Sequence, residues 1–335
     1  MLPVVDVVII NWNGIEDTID CLRSLKGQSY IGGCRAILID NCSADESLII
    51  IKAWCKKECV DVSEYQYRSS SERMVFLNKI SNNEADKFSV SLISADENLG
   101  FCTANNIGVE FSIKNSGELS FILNNDTVCD SELISHLVDA SINFNHECIL
   151  SPVILYADSP DIIWWQGGRF SKWLSPTYVH QGNKVSETIS EPVDTEWSSG
   201  CATLIPNSLY KKIGLYDPEF FIWCDEWDFS LRAEIYGVSK KVISSAKLYH
   251  KVGKSLGIVS PLVYFYSFRN MSILRKRYLS KTAYYLFNGL YVPFKFFQSI
   301  LYSLKERDVL YFIIFFDVVF EGVSSGRGKW KRQSN

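Results

Sequence analysis

The sequence predicts an α/β fold in which an open, mostly parallel sheet is covered by helices. Three observations support this prediction. Val4 to Ile10 is a nearly continuous apolar run, as expected of a parallel strand buried on both faces. Ile15, Ile19 and Leu22 then repeat at helical spacing. Apolar runs and helical repeats alternate in this way as far as Leu155, and such alternation is typical of a parallel sheet.

The remaining elements follow in order. Ser43, with Glu46 three residues later, resembles a capping box that opens the second helix. After Leu155 the chain is rich in tryptophan and glycine, which indicates a small antiparallel β-structure. A helix is predicted to begin after it, near Asp225. The other predicted segments are strands at Ala36 to Ile39, Ser89 to Ser94, Leu119 to Leu123 and Ile149 to Leu155, and helices near Thr103 to Ser112 and from Asp130 or Ser131.

Residues 57–88 interrupt the alternation. Asp61, Ser63, Glu64 and the run Ser69 to Ser71 make this stretch polar, as do Asn82, Asn83 and Asp86 farther along. Such a composition is typical of loops, so we predict a surface loop or insertion here.

Composition narrows the class of protein. The 335 residues are 47% hydrophobic and 14% aromatic, which excludes a disordered chain. The net charge is −4, so no basic domain indicates nucleic acid as a partner. The ten cysteines form no paired CxxC sets, which argues against a zinc ribbon. Because the N-terminus reads as a strand rather than a signal peptide, we expect free thiols in a reducing cytosol.

Four polar clusters fall where predicted strands end. In an open parallel sheet, ligands bind beyond the carboxyl ends of the strands. Asparagine and aspartate also favour turns, so a single cluster means little, but four in succession predict a site. The clusters are Asn11-Trp12-Asn13, Asp40-Asn41, Asn98 to Phe101 and Asn124 to Thr127.

These clusters belong to a longer set of motifs. The run VVIINWNG…AILIDNCSADES…ENLGFCTANNIG…FILNNDT…SSGCATLIP…LYDPEFFIWCDEWDFSLR…YHKVGKS resembles the rhamnosyltransferase-like branch of family 2 glycosyltransferases. The resemblance implies a GT-A fold (a Rossmann-like sheet flanked by helices) and a catalytic domain over residues 1–275. It also implies an inverting sugar transfer from a nucleoside-diphosphate donor, assisted by Mn²⁺ or Mg²⁺.

The resemblance assigns the donor and metal residues. Asp40 corresponds to the aspartate that hydrogen-bonds the donor pyrimidine, and Asp126 to the carboxylate that binds the metal. Asn124 stands where the family has an aspartate, which implies fewer charges and weak metal affinity. A histidine at the place of His250 completes the metal site in related enzymes, and imidazole suits Mn²⁺. The other donor-side residues are Asn11, Asn13, Asn41, Asn98, Gly100 and Asn125.

The acidic segment from Asp225 to Asp228 matches the family's Glu-Asp-x-Asp pattern with its first two acids exchanged. An acceptor hydroxyl attacks poorly unless a carboxylate takes its proton. By alignment Glu226 takes that role, with Asp225 as the second candidate. Asp228 is assigned to the acceptor side, or instead pairs with Arg232 one turn later.

Trp197 and Gly200 correspond to the segment that lines the acceptor side. A glycine allows close backbone approach to a sugar. The indole of Trp164, Trp165 or Trp197 is either a stacking platform for a pyranose or part of the core.

The chain from residue 276 to 335 is predicted as an amphipathic helical segment. Its apolar stretches are too short or too interrupted to span a bilayer, and basic residues flank them, including Arg327, Lys329, Lys331 and Arg332. We therefore expect peripheral attachment to the cytoplasmic face of the inner membrane. An internal helical hairpin or a homodimer contact is the alternative.

The motifs leave the substrates open. No GxGxxG follows the first strand, and neither a Walker loop nor a GxSxG elbow is present, which argues against other α/β enzymes. Resemblance favours rhamnose carried on a dTDP- or UDP-linked donor, and a polysaccharide or polyprenyl-linked acceptor. The first alternative is a transferase for a hexose, galactofuranose or an amino sugar. The second alternative is a non-catalytic, glycan-binding member of the family.

Overall fold

A computed structural model of the chain describes residues 2–81, 88–185, 192–252 and 260–320. In these ranges, fourteen strands and nine helices form one mixed sheet with helices on both faces and a separate two-stranded ribbon. The strands are β1 (Val5–Asn11), β2 (Cys34–Asp40), β3 (Asp61–Arg68), β4 (Arg73–Ile80), β5 (Phe88–Ala95), β6 (Leu119–Asn124), β7 (Thr127–Cys129), β8 (Cys148–Tyr156), β9 (Ser159–Trp165), β10 (Gly168–Phe170), β11 (Pro176–Tyr178), β12 (Val193–Asp194), β13 (Ala202–Pro206) and β14 (Ser239–His250). The helices are α1 (Ile15–Lys26), α2 (Ser47–Lys57), α3 (Gly100–Lys114), α4 (Leu133–Asn143), α5 (Asn207–Ile213), α6 (Asp225–Ile235), α7 (Pro261–Tyr278), α8 (Lys281–Glu306) and α9 (Leu310–Phe320).

The strand order of the sheet is β12-β14-β8-β13-β6-β1-β2-β5-β3-β4, with β7 paired to β14 and β9 paired to β8. Strands β6, β1, β2, β5 and β3 are parallel, which confirms the predicted parallel sheet. Asn11 pairs with Asp40 across β1 and β2, and Ile10 pairs with Asn124 across β1 and β6. This register brings the polar strand ends to one edge of the sheet.

Alternation along β1 explains why helices cover both faces. Val7 and Ile9 pack in the apolar cluster formed with α1, α2 and α4, whereas Val8 packs on the opposite side with α3. Helix α3 lies so close to the sheet that a Cβ at Gly108 would come within 2.3 Å of Val8 Cγ1. This glycine is therefore required by packing.

The prediction of a surface loop over residues 57–88 is wrong for most of that stretch, which forms strands. Strand β3 pairs in parallel with β5, and β4 closes an antiparallel hairpin at the edge of the sheet. Val62 and Tyr67 are buried, and Tyr65 packs its ring edge against Phe76 and Phe111 at 5.4 and 4.9 Å between centroids. An edge strand keeps many polar residues because much of its surface faces water. Asn82, Asn83 and Asp86 lie outside the described residues.

The predicted capping box is also wrong. Helix α2 begins at Ser47, and its N-cap residue Glu46 makes no side-chain capping bond. The Ser43 hydroxyl donates instead to Asp40 Oδ1 at 2.6 Å. The Ser43 side chain is thus bonded to the end of β2 and does not cap α2.

The C-terminal helices pack on one another. Helix α9 returns onto α7 and α8, where Tyr311, Ile314 and Phe315 are buried against residues that include Tyr264 and Phe268. The predicted domain boundary at residue 275 lies inside α7. No helix within the described ranges is both long and apolar enough to cross a membrane. The predicted basic tail from Arg327 to Arg332 lies outside those ranges.

Candidate active site

A cleft of about 390 Å³ opens at the carboxyl ends of the parallel strands. This size is typical of small-molecule sites. Many of the residues predicted for the site line it together: Asn41, Asn98, Gly100, Asn124, Asn125, Asp126, Trp197, Gly200, Asp225, Glu226 and His250.

The donor-side asparagines form a rigid polar rim. Asn41 Nδ2 donates to Asn98 Oδ1 at 3.1 Å, and the backbone N–H of Leu99 donates to Asn41 Oδ1 at 2.8 Å. Asn125 Nδ2 donates to Thr18 Oγ1 at 2.9 Å. Because each amide is held by a neighbour, the rim is organised before any ligand binds.

Asn11, Asn13 and Asp40 lie behind this rim and do not line the cleft. The Asp40 carboxylate is 1% exposed and accepts from Asn11 Nδ2 at 2.8 Å and from the Ser43 hydroxyl. Asn13 Oδ1 accepts from the backbone N–H of Ala44 at 2.8 Å. In this structure, these three side chains shape the turns beneath the cleft, and direct contact of Asp40 with a donor base stays a prediction.

Asp126 and His250 come together because β14 pairs with β7, which places His250 opposite Thr127. Asp126 Oδ1 lies 3.2 Å from His250 Nε2, although their angles do not make a hydrogen bond. Asp126 Oδ1 and His250 Nδ1 are both buried without a hydrogen bond to any described group. The edge of the imidazole packs against Trp164, with 4.6 Å between ring centroids.

A divalent cation fits this pair. Buried oxygen and nitrogen atoms without partners are costly unless a ligand satisfies them, and carboxylate with imidazole suits Mn²⁺. The described ranges contain no group of three or more His, Cys, Asp or Glu side chains arranged to hold a metal. If a cation bound here, Asp126 and His250 would be the residues to hold it, and oxygen atoms of a bound ligand and water would complete its coordination.

Asp225 and Glu226 begin helix α6 at the same cleft. Asp225 is buried, and its Oδ2 has no hydrogen-bond partner among the described residues. Burial raises the pKa of both carboxyls, and the neighbouring charge of Asp225 raises the pKa of Glu226 further. A carboxylate whose pKa is raised toward neutrality is suited to accept a proton. A Cβ at Gly200 would meet Glu226 at 3.6 Å, an ordinary contact, so Gly200 faces the base candidate.

The loop before α6 holds an unusual backbone. Phe221, Trp223 and Cys224 all have φ between 62° and 64°, a left-handed region unfavourable for such residues. Asn270 on α7 compensates, because its Nδ2 lies 2.7–2.9 Å from the carbonyl oxygens of Phe220, Ile222 and Trp223. This contact ties the start of α6, and with it the acidic pair, to α7.

The same loop closes onto helix α3. The Phe221 carbonyl accepts from the backbone N–H of Phe101 at 2.7 Å and satisfies part of the α3 N-terminus. Gly100 has φ +75°, and a Cβ there would lie 2.5 Å from Phe221 Cδ2. Gly100, a predicted donor-binding residue, lines the cleft. Only glycine fits at this position, because any side chain would collide with Phe221.

The acceptor-side prediction for Asp228 is wrong, and the alternative pairing with Arg232 is confirmed. Asp228 is fully buried and bonds to Arg232 Nε at 2.8 Å, Arg277 Nη1 at 3.0 Å and Tyr278 Oη at 2.8 Å. Unlike Asp225 and Glu226 on the same helix, it does not line the cleft. Its charge stabilises the packing of α6 on α7.

The tryptophans divide between cleft and core. Trp164 lines the cleft, while Trp165 is fully buried in the core. Trp197 borders the cleft but is only 2% exposed, and the edge of Tyr178 packs against it at 5.1 Å. Tyr178, with Trp164, presents the aromatic surface on this side.

Sequence reasoning assigned no role to several residues that line the cleft: Trp12, Phe101, Tyr178, Phe221, Ile222, Trp223 and Leu262. Phe101 and Trp12 belong to the polar clusters at the ends of predicted strands, so this pattern could have identified them as cleft residues. Tyr178 ends the short strand β11, Leu262 lies in the first turn of α7, and the others come from a loop; no periodic pattern marks them.

Comparison with known proteins places this site in context. No protein-family model matches the chain. The dTDP-rhamnosyl transferase RfbF of Shigella flexneri is 25% identical over 204 residues, which cover 58% of this chain and 65% of that protein. The crystal structure of GalNAc-T7 with UDP, GalNAc and Mn²⁺ superposes with a TM-score of 0.59 at 17% identity, over 80% of this chain and 47% of that one. S. aureus TarS in complex with UDP-GlcNAc has a TM-score of 0.48 at 15% identity, over 80% of this chain and 65% of that one.

The fold is that of the GT-A glycosyltransferases. The chain spans less than two thirds of RfbF, and this similarity agrees with the glycosyltransferase motifs of the sequence. The GT-A fold that the motif resemblance implies is confirmed.

Proposed function

We propose that this chain transfers one sugar, with inversion, from a nucleoside-diphosphate donor to a hydroxyl group of a glycan acceptor. One observation carries the proposal. A single cleft is lined by the Asp126–His250 pair and by the Asp225–Glu226 pair. The Asp126–His250 pair is suited to bind a diphosphate together with a cation. The Asp225–Glu226 pair is suited to accept a proton from the acceptor.

Glu226 is the proposed base. The acceptor hydroxyl approaches the sugar on the face opposite the leaving diphosphate, and Glu226 accepts its proton as the new bond forms. Glu226 is half-buried at the cleft, whereas Asp225 is almost completely buried. Asp225 therefore acts by keeping the pKa of Glu226 raised, and it remains the second candidate for the base.

Asp126 and His250 are the proposed metal ligands. These two side chains would hold Mn²⁺ or Mg²⁺, which would supply positive charge to balance that of the departing diphosphate. Asn124 and Asn125 add neutral amides rather than carboxylates to this part of the cleft. We therefore expect weak metal binding in the absence of a nucleotide.

Rhamnose on a dTDP carrier is the proposed donor. Its support is the similarity to RfbF, which is named as a dTDP-rhamnosyl transferase. The fold alone does not select a sugar, because related scaffolds serve many substrates. UDP-linked hexose, galactofuranose or amino sugar is the alternative donor.

A polysaccharide or polyprenyl-linked oligosaccharide at the cytoplasmic face of the inner membrane is the proposed acceptor. The aromatic surface of Tyr178 and Trp164 supports a glycan, because sugar faces stack on such rings. Ile222, Trp223 and Leu262 add an apolar border where α7 begins.

A donor panel tests the proposal. The purified chain is incubated with dTDP-rhamnose, dTDP-glucose, UDP-glucose, UDP-galactofuranose and UDP-GlcNAc, and released nucleoside diphosphate is measured with Mn²⁺ or with chelator. We expect slow release from one donor, abolished by chelator and by Asp126→Ala. Full release in chelator would contradict the metal-dependent mechanism. Donor binding without release, in the presence of varied glycan acceptors, would instead favour a glycan-binding protein.

A further inference from the structure

We infer that the outward face of helix α8 is a membrane-docking surface that lies in the headgroup region of an anionic bilayer. This inference deepens the proposed function, since it names the surface that would bring the cleft to a lipid-linked acceptor. Its test does not depend on sugar transfer.

Helix α8 presents a continuous apolar stripe to solvent in the described structure. Seven large side chains recur every one to four residues, and each is 59–80% exposed. At 1.5 Å per residue the stripe is about 29 Å long. Its members, called here the α8 stripe, are Tyr285, Leu286, Leu290, Phe294, Phe297, Leu301 and Leu304.

The opposite side of α8 is already occupied by protein. Tyr291 packs against Phe268 of α7 at 5.7 Å between centroids, and Phe296 packs against Phe315 of α9 at 5.3 Å. The Lys295 ammonium is buried over Tyr264 and donates to Gln298. Because these contacts fix the helix on α7 and α9, its outward face cannot turn inward to hide the stripe.

The distribution of charge favours a lipid surface. Between Thr282 and Leu304 every exposed residue of α8 is uncharged, since Lys295 is buried. Exposed Lys281, Lys305 and Arg307 stand only at the ends, with Glu306 as the exposed acid beside them. An apolar face bordered by basic residues fits acyl chains beneath anionic headgroups. The sequence after α9 adds four basic residues against one acid over residues 321–335.

Vesicle flotation tests the inference with the full chain. Vesicles of phosphatidylcholine alone are compared with vesicles that also contain phosphatidylglycerol. We expect the wild-type chain to float with the anionic vesicles and less with the neutral ones. The double variant Leu290→Glu, Phe297→Glu should lose about tenfold or more of its partitioning, because each charge enters the apolar region.

The matched control places the same two charges on exposed apolar residues elsewhere. Ile49 on α2 and Leu77 on β4 are 70% and 53% exposed, so Ile49→Glu with Leu77→Glu should leave flotation unchanged. Unchanged thermal unfolding in both double variants verifies that the fold is intact.

Three results would overturn the inference. The first is an absence of wild-type flotation with either vesicle. The second is an equal loss of flotation in the control variant. The third is a lipid-free dimer, seen by analytical ultracentrifugation, that the α8 variant dissociates, because a second copy would then cover the stripe. Flotation without donor hydrolysis would leave the surface supported and the proposed transfer unsupported.

Discussion

At the residue scale, the chemistry depends on two adjacent carboxyls whose environments differ. Asp225 is 2% exposed, whereas Glu226 is half-buried at the cleft beside Gly200. Both pKa values are raised, with burial as the main cause. Groups this close titrate as a pair, so the proton they share belongs to the pair rather than to one residue.

Replacing each carboxylate by the amide of the same shape separates the roles of Asp225 and Glu226. Glu226→Gln keeps the shape of the side chain but cannot accept a proton, so we expect turnover to fall by roughly 10²–10⁴-fold with donor affinity nearly unchanged. Asp225→Asn should reduce turnover less, because it removes only the neighbouring charge. Turnover at saturating acceptor and donor binding by calorimetry are the measurements. A larger loss in Asp225→Asn would exchange the two assignments, and normal turnover in both would exclude the pair.

The raised pKa values predict opposite effects of pH on turnover and on stability. Turnover should rise with pH through the raised pKa, because the base must be ionised. Since the folded state holds the protons more tightly than the unfolded chain, the pair's contribution to stability is complete below the unfolded pKa values. This contribution to stability is lost as pH rises through the pKa values that the two carboxyls have in the folded protein. Denaturant unfolding across pH 5–9 should show this loss in wild type and a smaller one in Asp225→Asn. If the free energy of unfolding changed with pH equally in wild type and in Asp225→Asn, the raised pKa values would be contradicted.

At the element scale, helix α7 positions the acidic pair through the strained loop. Asn270 contacts three carbonyl oxygens of that loop, and its Oδ1 accepts from Arg269 Nη1 at 2.8 Å. Arg269 Nη1 also donates to the Glu219 carbonyl at 2.6 Å. Left-handed φ values at Phe221 and Trp223 persist only where surrounding contacts enforce them.

Asn270→Ala should therefore impair catalysis beyond its effect on stability. We expect turnover to fall by about 10²-fold, because a small displacement of the base is enough to disturb reaction geometry. Asn207→Ala is the matched control, since Asn207 is also buried and bonds to Ser120 Oγ, Ser112 Oγ and the Gly117 carbonyl at the other end of β6. Both variants should lose about 1–3 kcal/mol of unfolding free energy. Equal turnover in the two variants would show that Asn270 is only a folding residue.

At the scale of the whole molecule, the C-terminal helices are part of the packed structure. Tyr264 and Phe268 on α7 are buried partly by Tyr291 and Tyr302 of α8 and by Tyr311 and Phe315 of α9. Next to them Phe221, whose carbonyl caps α3, stacks on Tyr266 at 5.2 Å. These contacts connect the terminal helices to the loop that precedes the acidic pair.

Removal of α8 and α9 should therefore destabilise the chain. Truncation after Ser280 leaves Tyr264 and Phe268 exposed, and losing buried aromatic contacts of this kind typically costs several kcal/mol. We expect a lower melting temperature and aggregation, whereas the α8 stripe variant Leu290→Glu, Phe297→Glu should melt like wild type. A truncated chain as stable as wild type would show that residues 1–280 form an independent domain.

The sequence by itself determined the parallel sheet, most of its strands and helices, and most of the residues that meet at the cleft. Apolar runs, helical repeats and polar residues at strand ends are local signals, and parallel strands bring such ends to one edge. Asp126 was accessible in this way, whereas Asp225 and His250 were identified through the resemblance of their motifs to a known family.

Only the tertiary structure decided which of these side chains face the cleft. Asp40 is bonded to Asn11 and Asp228 to Arg277, through partners 29 and 49 residues away in the chain. The edge hairpin of β3 and β4 formed where composition indicated a loop, because pairing with β5 satisfies its backbone. Such choices depend on hydrogen bonds and burial between distant segments, and no local pattern carries that information.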